Sequence, residues 1–441
     1  MAGSKRRPRN WQWLGRLLWL ALPLIIAGGP MAYGQQQISP LNLYNPPNPY
    51  GDPTAAPPGQ SALQQSVVLR SRPDYDPLGI HAGGFLIYPK LELGERYDDN
   101  IRATQHNRLD DFATTIAPSV AVESTWSRHA LGLQAFGVFE EFAEHSSEDT
   151  SEYGVNLTGR LDMTEQDFLS GFTSYSHQVQ PRDEPDDTGQ RKPSAFDHYI
   201  AQSTYAHRFS RVEVSLNSRL DRLDYTTSFD NDRDRTDLTI GPRVSYLLSP
   251  SFIPFVQVGY LNENFDAPLD RSGVDRDSQS YNGSAGFTFD IDTILSGQIT
   301  VGETHTNFDD PSFKDATFFG FDGVLTWNVT TLTTITGEIS RREVVTTQAG
   351  SSSRIATQGS ISVDHQLLHN VLIGGSLMYR NDNYQTSSRN DNTFDATIGV
   401  SYLLNRNAAI SLSYAHEMRD SNFTDAGFDD NTVRLGLDLH M

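Results

Sequence analysis

The sequence predicts an all-β fold: a transmembrane, antiparallel, up-and-down β-barrel of about 18 strands, in a range of roughly 16–18. Three observations predict it. Segments of roughly ten residues alternate between an apolar and a polar side chain. The connections between them alternate as regularly, one short and one long. An N-terminal leader marks the chain for export.

The clearest segment is 212–221. Val212, Val214, Leu216 and Leu220 fall on one parity, and Glu213, Ser215, Asn217, Arg219 and Asp221 on the other. Successive side chains of a strand point to opposite faces, so one face is aliphatic and the other charged. A one-residue slip would turn Glu213, Arg219 and Asp221 toward lipid. Arg at the bilayer midplane alone costs ~2–4 kcal/mol, which fixes the register. Lipid outside and water inside is the simplest reading.

Composition narrows the class. The 441 residues include no Cys and 37% hydrophobic side chains, with a mean hydropathy of −0.47. Spanning helices need ~20 nearly uninterrupted apolar residues each, so a bundle of them is excluded. A barrel, in which only alternate residues meet lipid, is not. The lack of Cys removes disulfide frameworks, thiol nucleophiles and thiolate metal sites.

The start of the chain supplies its address. Lys5, Arg6, Arg7, Arg9 and Arg16 precede or flank the apolar run 17–29, and Ala32-Tyr33-Gly34 offers small residues at a cleavage site before Gln35. This is a secretory signal peptide cleaved near Gly34. Pro8 and Arg9 after Arg6-Arg7 favour the general secretory route over twin-arginine export. Removing the five leader cations takes the formal charge from −21 to −26. So acidic a chain excludes nucleic acid held by phosphate neutralisation. A leader followed by a barrel predicts the outer membrane of a Gram-negative cell.

Domain limits follow: signal peptide 1–34, a Pro-rich periplasmic segment 35–79, and the barrel 80–441. The proline density of 35–79 predicts an extended or disordered tail, with 43–50 a candidate docking segment for a periplasmic partner or the barrel mouth. It is too short for a globular plug. The predicted strands are 85–94, 112–123, 130–142, 153–162, 168–178, 199–208, 212–221, 238–246, 253–261, 281–291, 295–303, 319–327, 332–341, 355–363, 371–379, 394–402, 410–418 and 433–441. At about 20 residues per unit, each accommodates a spanning strand of ~9–11 residues and its connections.

Long polar connections (98–110, 145–151, 181–195, 224–237, 262–279, 307–316, 346–353, 381–391, 419–430) alternate with short ones such as 208–211, 248–251, 328–330 and 405–407. Long loops on one rim, tight turns and both termini on the other, is the outer-membrane arrangement. Aromatic residues reinforce it as two interfacial belts. Tyr97, Tyr153, Tyr199, Tyr225, Tyr260, Tyr281 and Tyr379 lie near the long loops. Trp126, Phe168, Phe209, Tyr246, Phe252, Trp327 and Tyr402 lie near the short turns.

Four stretches carry a family resemblance: Phe85-Leu86-Ile87-Tyr88-Pro89, Glu95-Arg96-Tyr97-Asp98-Asp99-Asn100-Ile101, Thr125-Trp126-Ser127-Arg128-His129, and 297–310 ending in Asn307-Phe308-Asp309-Asp310. Over residues 80–441 the chain resembles the outer-membrane β-barrel porins of proteobacteria, some of which accompany exopolysaccharide export. The resemblance implies a barrel and no catalytic residues. It also implies outer-membrane lipid, lipopolysaccharide and the barrel assembly machinery as partners, with polysaccharide export components as a further candidate. One departure is the C-terminus, His440-Met441, where such barrels usually end in an aromatic residue.

Parity gives the candidate pore lining: Lys90, Glu92, Arg96, Arg160, Asp162, Arg219, Asp221, Arg243, Asp322, Glu338, Arg342, Arg434 and Asp438. Mixed charge around a wide lumen suits hydrophilic solutes. It equally suits charges that pair and fill the interior. Asp98, Asp99, Asp110, Asp111, Asp309 and Asp310 supply hard oxygen ligands for a loop cation, without the spacing of a dedicated calcium loop. No metal or cofactor motif is present. His177 beside Ser174 and Ser176, or His145 beside Ser146, would suit a lipid hydrolase, but no carboxylate is evidently placed to orient either. The expectation is a non-enzymatic, porin-like channel, serving hydrophilic solutes or polysaccharide export. The alternative is a plugged structural or surface-interaction barrel acting through its acidic loops.

Overall fold

A computed structural model describes residues 61–187, 189 and 192–441. The leader, its cleavage site and the 43–50 segment lie outside the described residues. A helical turn, α1 (Ser61–Gln64), and a short strand, β1 (Ile80–Ala82), precede the wall. The first half of the wall is β2 (Phe85–Asp98), β3 (Asp111–Ser124), β4 (Ala130–Phe142), β5 (Thr150–Asp162), β6 (Asp167–Val179), β7 (Ala195–Phe209), β8 (Val212–Tyr225), β9 (Arg235–Tyr246) and β10 (Phe252–Phe265). The second half is β11 (Ser278–Ile291), β12 (Leu295–Phe308), β13 (Ala316–Thr330), β14 (Thr333–Val345), β15 (Ser353–Leu368), β16 (Val371–Tyr384), β17 (Asn390–Asn405), β18 (Ala408–Ser421) and β19 (Phe428–His440).

Every wall strand pairs antiparallel with its chain neighbours, and β19 returns to β2. That closing register runs from Thr432 opposite Asp98 to His440 opposite Lys90. Below it, β1 takes over the exposed edge of β2, Ile80 opposite Ile87 and Ala82 opposite Phe85. The result is a closed barrel of 18 strands, β2–β19. Closure matters because lipid offers no hydrogen bonds to an unpaired strand edge.

The faces divide as the alternation predicts. Val214, Leu216 and Leu220 project outward, while Glu213, Ser215, Asn217 and Asp221 are buried on the lumen side. Every wall strand except β4 runs past its predicted long-loop end: β8 continues to Tyr225, β10 to Phe265 and β16 to Tyr384. Above the bilayer the ladder continues in water, and the chemistry of the faces reverses. Leu223 and Tyr225 turn inward onto Phe196, whereas Asp224 turns out. Tyr225 is therefore not part of the outer belt. Phe168 is likewise inward, beneath the Arg160 guanidinium at 4.2 Å from its ring. Both were placed in belts by position along the strand, where parity decides. The remaining aromatics, including Tyr153, Tyr199, Tyr281, Tyr379, Phe209, Trp327 and Tyr402, do project outward.

From Ser61 to Leu78 the segment expected to be an extended tail lies against the inner rim of the turn end. Ala62 and Val67 are buried there. The Val67 N–H donates to Thr334 Oγ1 at 2.9 Å, Asn328 Nδ2 donates to the Ala62 carbonyl at 2.8 Å, and Arg406 Nε to that of Pro73 at 2.9 Å. Small and apolar residues at 61–69 (SALQQSVVL) give this stretch something to bury that the proline-rich run before it lacks.

Leu216→Arg should abolish stable insertion, and Asn217→Arg, one position away, should be tolerated. The check is the mobility difference between unboiled and boiled protein on a denaturing gel, which a folded barrel shows and an uninserted one loses.

Candidate functional site

The site is the lumen, and its wall is built from short-range ion pairs. At the closing seam Lys90 reaches Asp438 at 2.6 Å and Glu92 at 3.5 Å, and Arg434 reaches Glu92 at 2.7 Å. Arg96 bridges Asp98 at 2.6 Å and Glu140 at 2.8 Å. Arg160 pairs with Asp162 at 2.8 Å. Arg219 holds Asp221 through two nitrogens at 2.7 Å each, and His198 approaches the same carboxylate at 3.0 Å. Arg243 lies over the Phe255 ring and donates to Gln298. Thus the thirteen parity-selected residues all lie on the inward face. Those that pair form separate local clusters, within a strand as at Arg160–Asp162 or across the seam as at Lys90–Asp438, rather than one ring.

Acidic groups remain over. Among the described residues, Glu123, Asp322, Glu338, Asp364, Asp395 and Glu417 face the lumen without an ion pair, and Arg342 lies on the same inward face as Asp322, on the neighbouring strand. Asp395 and Glu417 sit directly opposite each other on β17 and β18. Like charges in that position repel, and neither carboxylate has a cationic partner within ion-pair distance among the described residues.

The connection between β6 and β7 crosses the outer mouth through its described residues 180–187. Its root is tied by Gln180 N–H to the Ser194 carbonyl at 2.7 Å and by Arg182 to Glu148 at 2.9 Å. Its tip reaches β15–β18, on the opposite side of the ring. There Glu184 meets Arg354 at 2.9 Å, and Asp186 accepts from Thr346 Oγ1 at 2.6 Å. The Pro185 and Asp183 carbonyls accept from Arg389 and Arg419. Arg354 also holds Asp382 at 2.6 Å, which Arg380 shares at 2.8 Å. Burial pushes the Glu184 and Asp187 carboxyls above the usual range, against the pull of Arg354 and Arg182. The loop is therefore seated in a desolvated socket, not merely lying over the opening.

Sequence reasoning missed this socket. Arg354, Arg380 and Arg419 each lie one residue beyond an expected strand end, and Arg389 lies within the expected connection 381–391. The available signal was the alternation continuing into those regions, as in Arg380, Asp382 and Tyr384.

The acidic loop residues serve their own backbones. Asp98 accepts from Asn100 N–H, Asp111 from Glu144 and His145 N–H, and Asp310 from Asp275 and Ser312 N–H. Asp99 holds Asn431, Asp110 accepts from Tyr97, and the Asp309 N–H donates to the Asp277 carbonyl. Hydrogen bonds from the Ser312 hydroxyl, the Ser312 N–H and the Asp275 N–H keep the Asp310 carboxyl below its usual range. Among the described residues, no three or more acidic or His side chains converge in a geometry suited to a metal ion.

The hydrolase arrangement does not assemble at His177. Its ring faces outward, stacked on Tyr153 and bonded to Asp197 at 2.8 Å, so a carboxylate does orient it. Ser174 and Ser176 face inward, bonded to Asn156 and Gln178. Adjacent strand positions cannot share a face. His145 is turned onto Asp111 at 3.0 Å.

These features define a closed transmembrane β-barrel with a polar lumen narrowed at both ends. The sequence matches the family described as Putative beta-barrel porin 2 over residues 72–441, and the chain belongs to that family of outer-membrane porins. No curated protein matches the chain. Among solved structures, it is similar to the outer membrane protein opdK from Pseudomonas aeruginosa, at 10% identity and a TM-score of 0.44, covering 80% of this chain and 99% of that one. Pseudomonas aeruginosa OpdL gives 11%, 0.42, 82% and 99%. A BenF-like porin from Pseudomonas fluorescens Pf-5 gives 10%, 0.44, 80% and 99%.

Arg354→Ala should free the loop. Asp382 keeps Arg380, so the wall survives, while Glu184 loses its partner, and a buried charge left alone costs ~3–5 kcal/mol. Liposomes holding this variant should swell faster in larger sugars than those with the unaltered protein. Deleting residues 61–78 should have the same effect from the other mouth. Unchanged swelling in either case would show that the corresponding segment does not limit passage.

Proposed function

We propose that the protein is a passive diffusion channel for small hydrophilic solutes that favours cations. The observation that carries this reading is the surplus of lumenal carboxylates without an ion pair, Asp322, Glu338, Asp364, Asp395 and Glu417 among them. Rings of acidic side chains favour cation passage. The paired clusters add no positive surplus, Arg96 alone being set against both Asp98 and Glu140, and serve to hold the wall's shape.

A second reading concerns saccharides. β11 and β12 present mainly hydroxyl and amide groups inward, among them Ser280, Asn282, Thr300 and Thr304. Such a wall hydrogen-bonds polyhydroxylated solutes without demanding charge. This supports sugars as passing solutes and is the basis for exit of a polysaccharide. A polymer would require the 180–194 loop and the 61–78 segment to move aside. If neither moves and no solute passes, the barrel acts as a plugged surface protein instead.

The reversal potential across a bilayer holding a potassium chloride gradient tests the first reading. Its sign should report cation preference, and Asp322→Asn combined with Glu338→Gln should shift it toward zero. Anion preference would overturn the proposal.

A further inference from the structure

The wall has one long split. The β13–β14 ladder stops at Phe321 opposite Arg341, although β13 continues to Ala316 and β14 to Val345. Above that rung the two strands follow their outer neighbours: β13 stays paired with β12 up to Ala316, and β14 with β15 up to Val345. Between them lies a recess of about 460 Å³, lined by Thr317, Phe319, Arg341, Ile355, Asn381 and Asn383 among others.

Its height is given by the register. Ile339, Gly359 and Tyr379 share one rung, and Tyr379 belongs to the outward aromatic belt. Arg341, Thr357 and Asn381 occupy the same face one rung-pair farther out. The recess therefore opens at headgroup level, not in the hydrocarbon. An open backbone edge could not be tolerated deeper.

Its chemistry is specific. Two guanidiniums project outward from the described strands. Arg222 is neutralised by Asp266 at 2.6 Å and Asp224 at 3.7 Å. Arg341 has no carboxylate within ion-pair distance among the described residues. Its Nε donates to the Phe319 carbonyl at 3.2 Å and its Nη1 to Thr357 Oγ1 at 2.9 Å, spanning the split and standing in for the missing ladder. The guanidinium is thus held in place while retaining donors toward the outside. Asn381 and Asn383 add amides beside it, and Phe319 presents an exposed ring at the lipid edge.

We propose that this split binds the phosphorylated saccharide headgroup of an outer-leaflet glycolipid, with Arg341 holding the phosphate and Phe319 lying against the first segment of an acyl chain. A guanidinium matches phosphate through paired donors. The polar lining suits a sugar and not a chain alone. Bound there, the headgroup would cover the open strand edges and close the wall from outside.

The test is native mass spectrometry of the refolded, detergent-solubilised full-length barrel with lipid A carrying both phosphates, and with the same lipid dephosphorylated. The phosphorylated form should be retained about tenfold better. Arg341→Gln should erase that preference, while Arg222→Gln should not. Asn383→Trp, which fills the recess without touching the guanidinium, should lower retention as well. It keeps the test decisive if Arg341→Gln does not fold, as judged by gel mobility. Equal retention of both lipids, no retention of either, or unchanged retention in a folded Arg341→Gln or Asn383→Trp variant would overturn the proposal. Channel activity plays no part in this readout, so its outcome is separable from that of the diffusion reading.

Discussion

The structure depends on one constraint: every backbone N–H and C=O within the bilayer must find its partner inside the protein. A sheet meets that requirement only by closing on itself. The pairing of β19 with β2, and of β1 with the remainder of β2's edge, completes the circuit. Everything else is arranged around the closed ladder. The aliphatic parity satisfies lipid, the polar parity fills with charge and water, and the strand ends are free to change character once the membrane is passed. The β13–β14 split obeys the same rule by its position, opening only where headgroups and water can meet its edges.

A wide ring alone would be a hole, and the interior is organised against that. Ion pairs such as Arg434–Glu92 and Lys90–Asp438 link neighbouring strands and stiffen the wall locally. The 180–194 loop makes the long-range contact, carrying Glu184 across the mouth to Arg354. Burying a charge pair contributes little net stability, but it specifies where the loop sits, since every alternative leaves Arg354 or Glu184 poorly satisfied. At the opposite rim, the 61–78 segment uses backbone hydrogen bonds and two buried aliphatic side chains, Ala62 and Val67, to the same end.

The architecture was legible because period-two alternation and alternating loop lengths report two solvents at once. Strand number, orientation and the inward face of the charged residues could all be read from residues such as Leu216 and Arg219. What could not be read lies at the strand ends and beyond them. Tyr225 obeys the same parity as Asp221, yet its position beside a long loop suggests a place in the outer belt. The loop socket was hidden because its residues are distant in sequence: Glu184 and Arg354 are 170 positions apart and carry no local periodic signal. The inward folding of 61–78 was masked by the proline-rich stretch before it.

The central claim is that the lumen, though narrowed at both mouths, is continuous. Single-channel recording of the unaltered, refolded protein in a planar bilayer tests it most directly. Discrete, stable steps are expected, smaller than those of an unobstructed barrel of this strand number. Silence from protein whose folding is confirmed in the same membranes would contradict it and would make the 180–194 loop and the 61–78 segment a plug.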